Sequence, residues 1–162
     1  MIVVSDTSPL SGLLILGELD LLPQLYHEVI VPHAVMNELT ELENFGRSIE
    51  ALKNATWLKI VSAEDLDWVA DLQHDLDLGE AEAIVLAHQL KADWLLMDET
   101  KGRGIAKSQG LQTIGLIGVF LQAKAQNLIP NIQPYLDRVI HEAKFYVSPA
   151  FYERVLVLAN EA

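Results

Sequence analysis

Four acidic residues stand where a folded chain would deliver side chains to a site. Asp6 follows the β-branched run Ile2–Ser5, and Asp98 follows the apolar run Trp94–Met97. Short runs of this kind read as buried strands of a parallel sheet. Ligands of such sheets bind beyond the carboxyl ends of the strands, so both carboxylates fall at the edge where chemistry takes place. Glu80 opens the helical pattern Gly79–Lys91 just before the second strand, and Glu38 lies in the helical pattern His33–Leu42 that follows Pro32. Gathered in one cleft, four carboxylates repel one another unless cations neutralise them, and their hard oxygens suit Mg²⁺ or Mn²⁺. Each also has a structural reading: Asp6 and Asp98 as helix caps, Glu38 as an exposed residue beside Glu41 and Glu43, and Glu80 and Glu82 as partners of a helix dipole. Glu82 is the alternative to Glu80. Helical spacing aligns Glu80 with Ile84 and Ala87 but Glu82 with Leu86 and Gln89, which favours Glu80 as the inward-facing acid.

Hydroxyls and cations flank the acids. Thr7 and Ser8 follow Asp6 directly and could hold a water or a phosphate, although Ser8 also suits the cap of a helix entered through Pro9. Lys101 and Arg103 lie just beyond Asp98. Either could attract a phosphate, and Arg103 could equally pair with Glu99 one turn back. Neither Thr7 nor any of the five histidines shows the spacing of a nucleophile with its base, and no Ser-His-Asp arrangement is legible.

The elements that must position these residues alternate. Strands are expected over Ile2–Ser5, Glu28–Val31, Leu58–Val61, Trp94–Met97 and Gln112–Ile114. Helices are expected over Leu10–Leu16, Asp20–Leu25, His33–Leu42, Ala63–Leu72, Gly79–Lys91 and Thr100–Gln109, then near Gly118–Gln126, Ile132–His141 and Pro149–Asn160. Strands separated by helices imply an α/β fold, a parallel sheet covered on both faces.

The composition is compatible with that fold. The chain has 162 residues, 51% of them hydrophobic, and no cysteine. A length in the range of one domain, with no linker-like tract or repeat, points to a single unit over residues 1–162. The missing cysteines exclude disulfides, thiolate zinc sites and thiol nucleophiles. A net charge of −12 argues against a broad basic face for duplex DNA and leaves an acidic surplus to be placed. The start of the chain lacks a basic signal-peptide region, and the longest early apolar run, Leu13–Leu16, is too short to span a bilayer. A cytoplasmic location with no membrane association is therefore expected.

Taken together, four segments resemble the PIN domain family. They are Val3-Val4-Ser5-Asp6-Thr7-Ser8-Pro9-Leu10; Val31-Pro32 with Val35, Glu38 and Leu39; Gly79-Glu80-Ala81-Glu82-Ala83-Ile84; and Leu95-Leu96-Met97-Asp98-Glu99 with Arg103 and Ala106. The likeness runs in order from Ile2 to about Leu128 and is strongest to the prokaryotic VapC-like branch with a Gly-Glu-x-Glu-Ala-Ile signature. It implies a three-layer α/β/α sandwich and a metal-dependent ribonuclease, often the toxin of a toxin–antitoxin pair, working as a homodimer on RNA. Carried over by position, Asp6, Glu38, Glu80 and Asp98 are its catalytic, metal-holding acids, with Mg²⁺ or Mn²⁺ as cofactor. The third acid is more often aspartate in the family, so Glu80 and Glu82 both stay open there. The core of the likeness covers about residues 1–128, leaving the helices of 130–162 without a catalytic role.

Other classes fit less well. A phosphotransfer receiver needs a second acid beside Asp6, and a haloacid-dehalogenase-like phosphatase needs one at position 8, which is Ser. A binding or regulatory module on a PIN fold is the alternative function. The segment from Pro130 onward carries nine apolar residues, among them Ile132, Leu136, Val139, Phe151, Val155 and Leu158. It is read either as padding for the sheet or as a dimer contact or antitoxin groove.

Overall fold

A computed structural model describes residues 1–162. Its centre is a five-stranded parallel sheet of β1 (Val3–Ser5), β2 (Val29–Val31), β3 (Leu58–Ile60), β4 (Trp94–Leu96) and β5 (Thr113–Ile114), in the order β3-β2-β1-β4-β5. Successive side chains of a strand face opposite sides. Val3 and Leu96 accordingly enter one hydrophobic cluster of 28 buried residues, while Val4, Leu95 and Met97 enter a second of 14. Two cores, one on each face, make the expected three layers. Leu58 is half-buried and Lys59 and Ile60 are exposed, as suits β3 at the sheet edge.

The larger core is covered by α1 (Thr7–Leu16), α2 (Leu21–Tyr26), α3 (His33–Glu41) and helices that follow the sheet, and the smaller by α5 (Leu66–Leu72), α6 (Leu78–Leu90) and α7 (Thr100–Ser108). Between α3 and β3 lie a 3₁₀ turn, Leu42–Phe45, and the short α4 (Glu50–Lys53), neither foreseen in a polar stretch of weak periodicity. After β5 come α8 (Leu116–Ala125), α9 (Gln133–His141) and α10 (Pro149–Leu158). No helix is long and apolar enough to cross a membrane.

Strand order is the feature that creates a site. From β1 the chain builds outward through β2 to β3, then returns to the other side of β1 for β4 and β5. The sheet therefore reverses direction between β1 and β4, and the crevice at such a switch point receives the ligand. Ser5 pairs with Leu96, and the Asp6 N–H donates to the Leu96 carbonyl at 2.8 Å. Asp6 and Asp98 thus leave adjacent strands at the switch point.

One local expectation is corrected here. Ser8 does not cap α1, because the helix begins at Thr7 and Asp6 holds the cap position in an extended conformation. The strand runs straight into the helix, leaving no loop residue to serve as a separate cap.

The C-terminal helices pad the sheet with some of their apolar residues and expose others. Ile132, Leu136, Val139, Val155 and Leu156 are buried within the larger cluster, whereas Phe151, Val157 and Leu158 are exposed. Glu161 closes this layer: it accepts the Ile132 N–H at 2.7 Å and pairs with Lys124 on α8 at 2.7 Å. Deleting residues from Pro130 onward opens the main core, so the truncated chain should aggregate or lose its cooperative thermal transition. A truncated protein that stays soluble and melts like the intact chain would show that these helices are dispensable.

Candidate active site

Nine residues line the cavity above the switch point, about 570 Å³ in volume: Asp6, Thr7, Ser8, Ser11, Glu38, Asp77, Glu80, Asp98 and Glu99. Six are acids and three carry hydroxyls; no lysine, arginine, histidine or apolar side chain lines it. All four acids read from the sequence face this cavity.

Each is held differently. Asp6 is buried at the end of β1. Glu38, half-buried on α3, accepts a hydrogen bond from the Thr7 hydroxyl. A methyl group on Gly79 would lie 2.7 Å and 2.8 Å from the two Glu38 carboxylate oxygens, so the bare helix backbone makes the room that Glu38 occupies. Asp98 Oδ1 accepts the Leu116 N–H at 2.8 Å, while Oδ2 is buried with no hydrogen-bond partner. Gly115 plays the same part beside Asp98 as Gly79 does beside Glu38, since its added Cβ would meet Asp98 Oδ1 at 2.7 Å.

Glu80 and Glu82 separate cleanly. Glu80 is buried and lines the cavity. It also forms a capping box at the start of α6: its Oε1 accepts the Asp77 N–H at 3.1 Å, and Asp77 Oδ1 accepts the Glu80 N–H at 2.8 Å. Glu82 turns away and accepts the Ala34 N–H at 3.1 Å, tying α6 to the first turn of α3. Asp77 draws no notice in the sequence and Glu99 only as a partner for Arg103, although the Asp-x-x-Glu spacing of 77–80 is itself a capping signature. Glu99 caps α7 by accepting the Gly102 N–H at 2.6 Å.

The flanking cations also part company. Lys101 pairs with Asp75 at 3.3 Å, across exposed side chains. Arg103 is half-buried and makes no ion pair, so the expected alternative of a bridge to Glu99 is not formed. Its guanidinium stands instead by Gly115 and Asp98.

Burial shows in the acidities. Burial raises the Asp6 carboxyl to about 7, opposed by the Thr7 N–H and reinforced by the charge on Glu80. Glu80 is likewise raised to about 7, first by burial, with Asp77 both supporting and repelling it. Burial also raises Glu38 against the Thr7 hydroxyl, and Asp98 against the Leu116 N–H, the nearby Ser8 hydroxyl and Arg103. Glu99 alone among these is lowered, chiefly by the Gly102 N–H.

A family model described as a PIN domain, DUF3368, matches residues 2–161. The chain belongs to the PIN domain family. PIN domains are in general nucleases acting on nucleic acids, and they usually use divalent metals. The match extends through α9 and α10, past the Leu128 limit of the sequence likeness. No curated protein matches the chain in sequence.

The donor set fits a divalent cation: hard carboxylate oxygens, an orphaned Asp98 Oδ2 and no counter-charge in the lining. No three of these acids yet enclose a single ion. Glu38 is engaged with Thr7, and Glu80 with the start of α6.

The raised acids set a direction for stability against pH. An unfolded aspartate titrates near pH 3.9, and folded Asp6 near 7. The favourable contribution of protonated Asp6 is fully present below about pH 3.9 and is lost as pH rises to about 7. Without divalent ions, the melting temperature should fall across that window, and Asp6→Asn should flatten the fall and melt higher than the parent at pH 8. Equal melting curves for parent and variant at both ends of the window would show that Asp6 is not under this strain.

Proposed function

We propose that this PIN domain is a metal-dependent endoribonuclease of the VapC-like kind, cleaving RNA phosphodiester bonds. The observation that carries the reading is the cavity itself, six acids and three hydroxyls at the switch point of a parallel sheet. Asp6, Glu38, Glu80 and Asp98 are the proposed holders of one or two Mg²⁺ or Mn²⁺ ions. When bound, such an ion activates a water and neutralises charge developing on the phosphate. Asp6 and Asp98, fixed by the β1–β4 register, give the site its rigid side. Thr7 orients Glu38 through its hydroxyl, and Ser8 offers a hydrogen bond to water or phosphate oxygen, while the Ser11 hydroxyl donates to the Ser8 carbonyl at 3.1 Å. Arg103, which makes no ion pair, is the cation available to the substrate backbone; Lys101 is tied to Asp75.

The family likeness to VapC-like chains supports a wider role as the toxin of a toxin–antitoxin pair that works as a homodimer. Val157 and Leu158, exposed on α10, support an apolar contact with a second copy or with an antitoxin helix. Sedimentation of the intact chain at tens of micromolar tests the homodimer, and a clean monomer overturns it.

The purified protein should cleave single-stranded RNA with Mg²⁺ or Mn²⁺ and stop when EDTA is added. Asp6→Asn and Glu80→Gln should each lower the rate by at least about a hundredfold, while Glu82→Gln stays near the parent rate. Full activity in a folded Asp6→Asn protein would overturn the assignment. RNA binding without cleavage under any divalent ion would instead identify a binding module.

A further inference from the structure

A second concavity adjoins the acidic cavity and differs from it in chemistry. It encloses about 400 Å³, shares Asp98 with the acid-lined cavity, and is walled by Phe145, Tyr146 and Phe151 together with aliphatic side chains of β5, α8 and α10. Arg103 and Thr100 stand at its polar side with Asp98. Tyr146 is 89% exposed and Phe151 45% exposed, so two of the rings present free faces. Phe145 is half-buried, its ring near Gly12, and belongs to the wall.

Three features decide what such a groove takes. It shares Asp98 with the acid-lined cavity, so its occupant lies beside the proposed cleavage site. Its one cation, Arg103, makes no ion pair, although its charge reaches Asp98, and it lines the same groove as the aromatic rings, which suits a backbone phosphate. Its aromatic wall suits the planar face of a base, since single-stranded nucleic acids are held by stacking on such rings. An apolar helix would use the rings but offer the guanidinium no anion to hold.

We propose that this groove is a nucleobase subsite for single-stranded nucleic acid. Tyr146 and Phe151 stack on a base adjacent to the scissile phosphate, and Arg103 holds the intervening backbone phosphate. The proposal rests on the nuclease reading and adds where the neighbouring nucleotide sits. It also explains how an acidic chain holds a polyanion: stacking carries part of the affinity and does not require a broad basic face.

The test uses the intact protein and a short, end-labelled single-stranded oligoribonucleotide, with binding followed by fluorescence anisotropy in Ca²⁺ and cleavage in Mg²⁺. Tyr146→Ala combined with Phe151→Ala should weaken binding roughly ten- to a hundredfold and raise KM more than it lowers kcat. Tyr146→Trp and Phe151→Trp should preserve both. Arg103→Gln should reduce the slope of log affinity against log salt by about 0.7, the share of one phosphate on a single strand, whereas the aromatic variants leave that slope unchanged. Both rings are exposed, and a thermal melt verifies that the variants fold. A parent that cleaves RNA, with a double-alanine variant that binds and cleaves equally well, overturns the subsite and leaves the nuclease reading standing. A parent that neither binds nor cleaves overturns both. Loss of self-association or of antitoxin binding with unchanged RNA affinity overturns the subsite and makes the groove a protein contact.

Discussion

Acids gathered in one cavity with no cation in its lining are the constraint on which this molecule is built. Six acids share one cavity, and burial raises the carboxyls of Asp6 and Glu80 to about 7. A carboxylate would rather be hydrated and far from its neighbours. The cluster persists because the surrounding structure over-determines it. The β1–β4 ladder holds the segments carrying Asp6 and Asp98, the Thr7 hydroxyl steadies Glu38, and a capping box fixes Glu80. The two hydrophobic layers supply the stability that the site consumes. Repulsion of this kind is what prepares a protein to take up a cation, since every acid gains when one arrives.

Small residues are part of the same arrangement. Gly79 lies in the first turn of α6 and Gly115 at the start of α8, and in each case a side chain would enter the space of a carboxylate. Glycine inside a helix costs about 1 kcal/mol relative to alanine. That cost is borne at Gly79 because the backbone must come close enough to Glu38 for α3 and α6 to bring their acids together. The Glu82 bond to the Ala34 N–H holds the same two helices in register from outside the cavity. Of two glutamates two residues apart on α6, one faces the site and the other fastens it.

Much of this was legible in the sequence because it depends on position. A buried strand announces itself by composition, and an acid placed directly after it must emerge at the sheet edge, as Asp6 and Asp98 do. The 3.6-residue period distinguished the directions of Glu80 and Glu82. What was not legible depends on how elements meet. Ser8 has the right chemistry for a cap, yet the helix starts one residue earlier. Arg103 has Glu99 at pairing distance in sequence, yet Glu99 is already occupied by the Gly102 N–H, and Arg103 stands beside Asp98 instead. The 3₁₀ turn at Leu42–Phe45 and α4 have too few apolar residues to show a period. The aromatic groove draws on β5, α8, α10 and the segment before α10, whose residues share no motif.

The two duties of Glu80 compete whenever a ligand pulls Oε1 away from the start of α6. While Oε1 accepts the Asp77 N–H, it stabilises the first turn of α6. Any ligand that draws that oxygen into the cavity releases the amide to solvent. Exchange of the Asp77 amide hydrogen with deuterated water is therefore a built-in gauge of occupancy: slow while the box is closed, fast once Glu80 is engaged elsewhere. The helix start and the site share a single hydrogen bond, and the loosening of one marks the filling of the other.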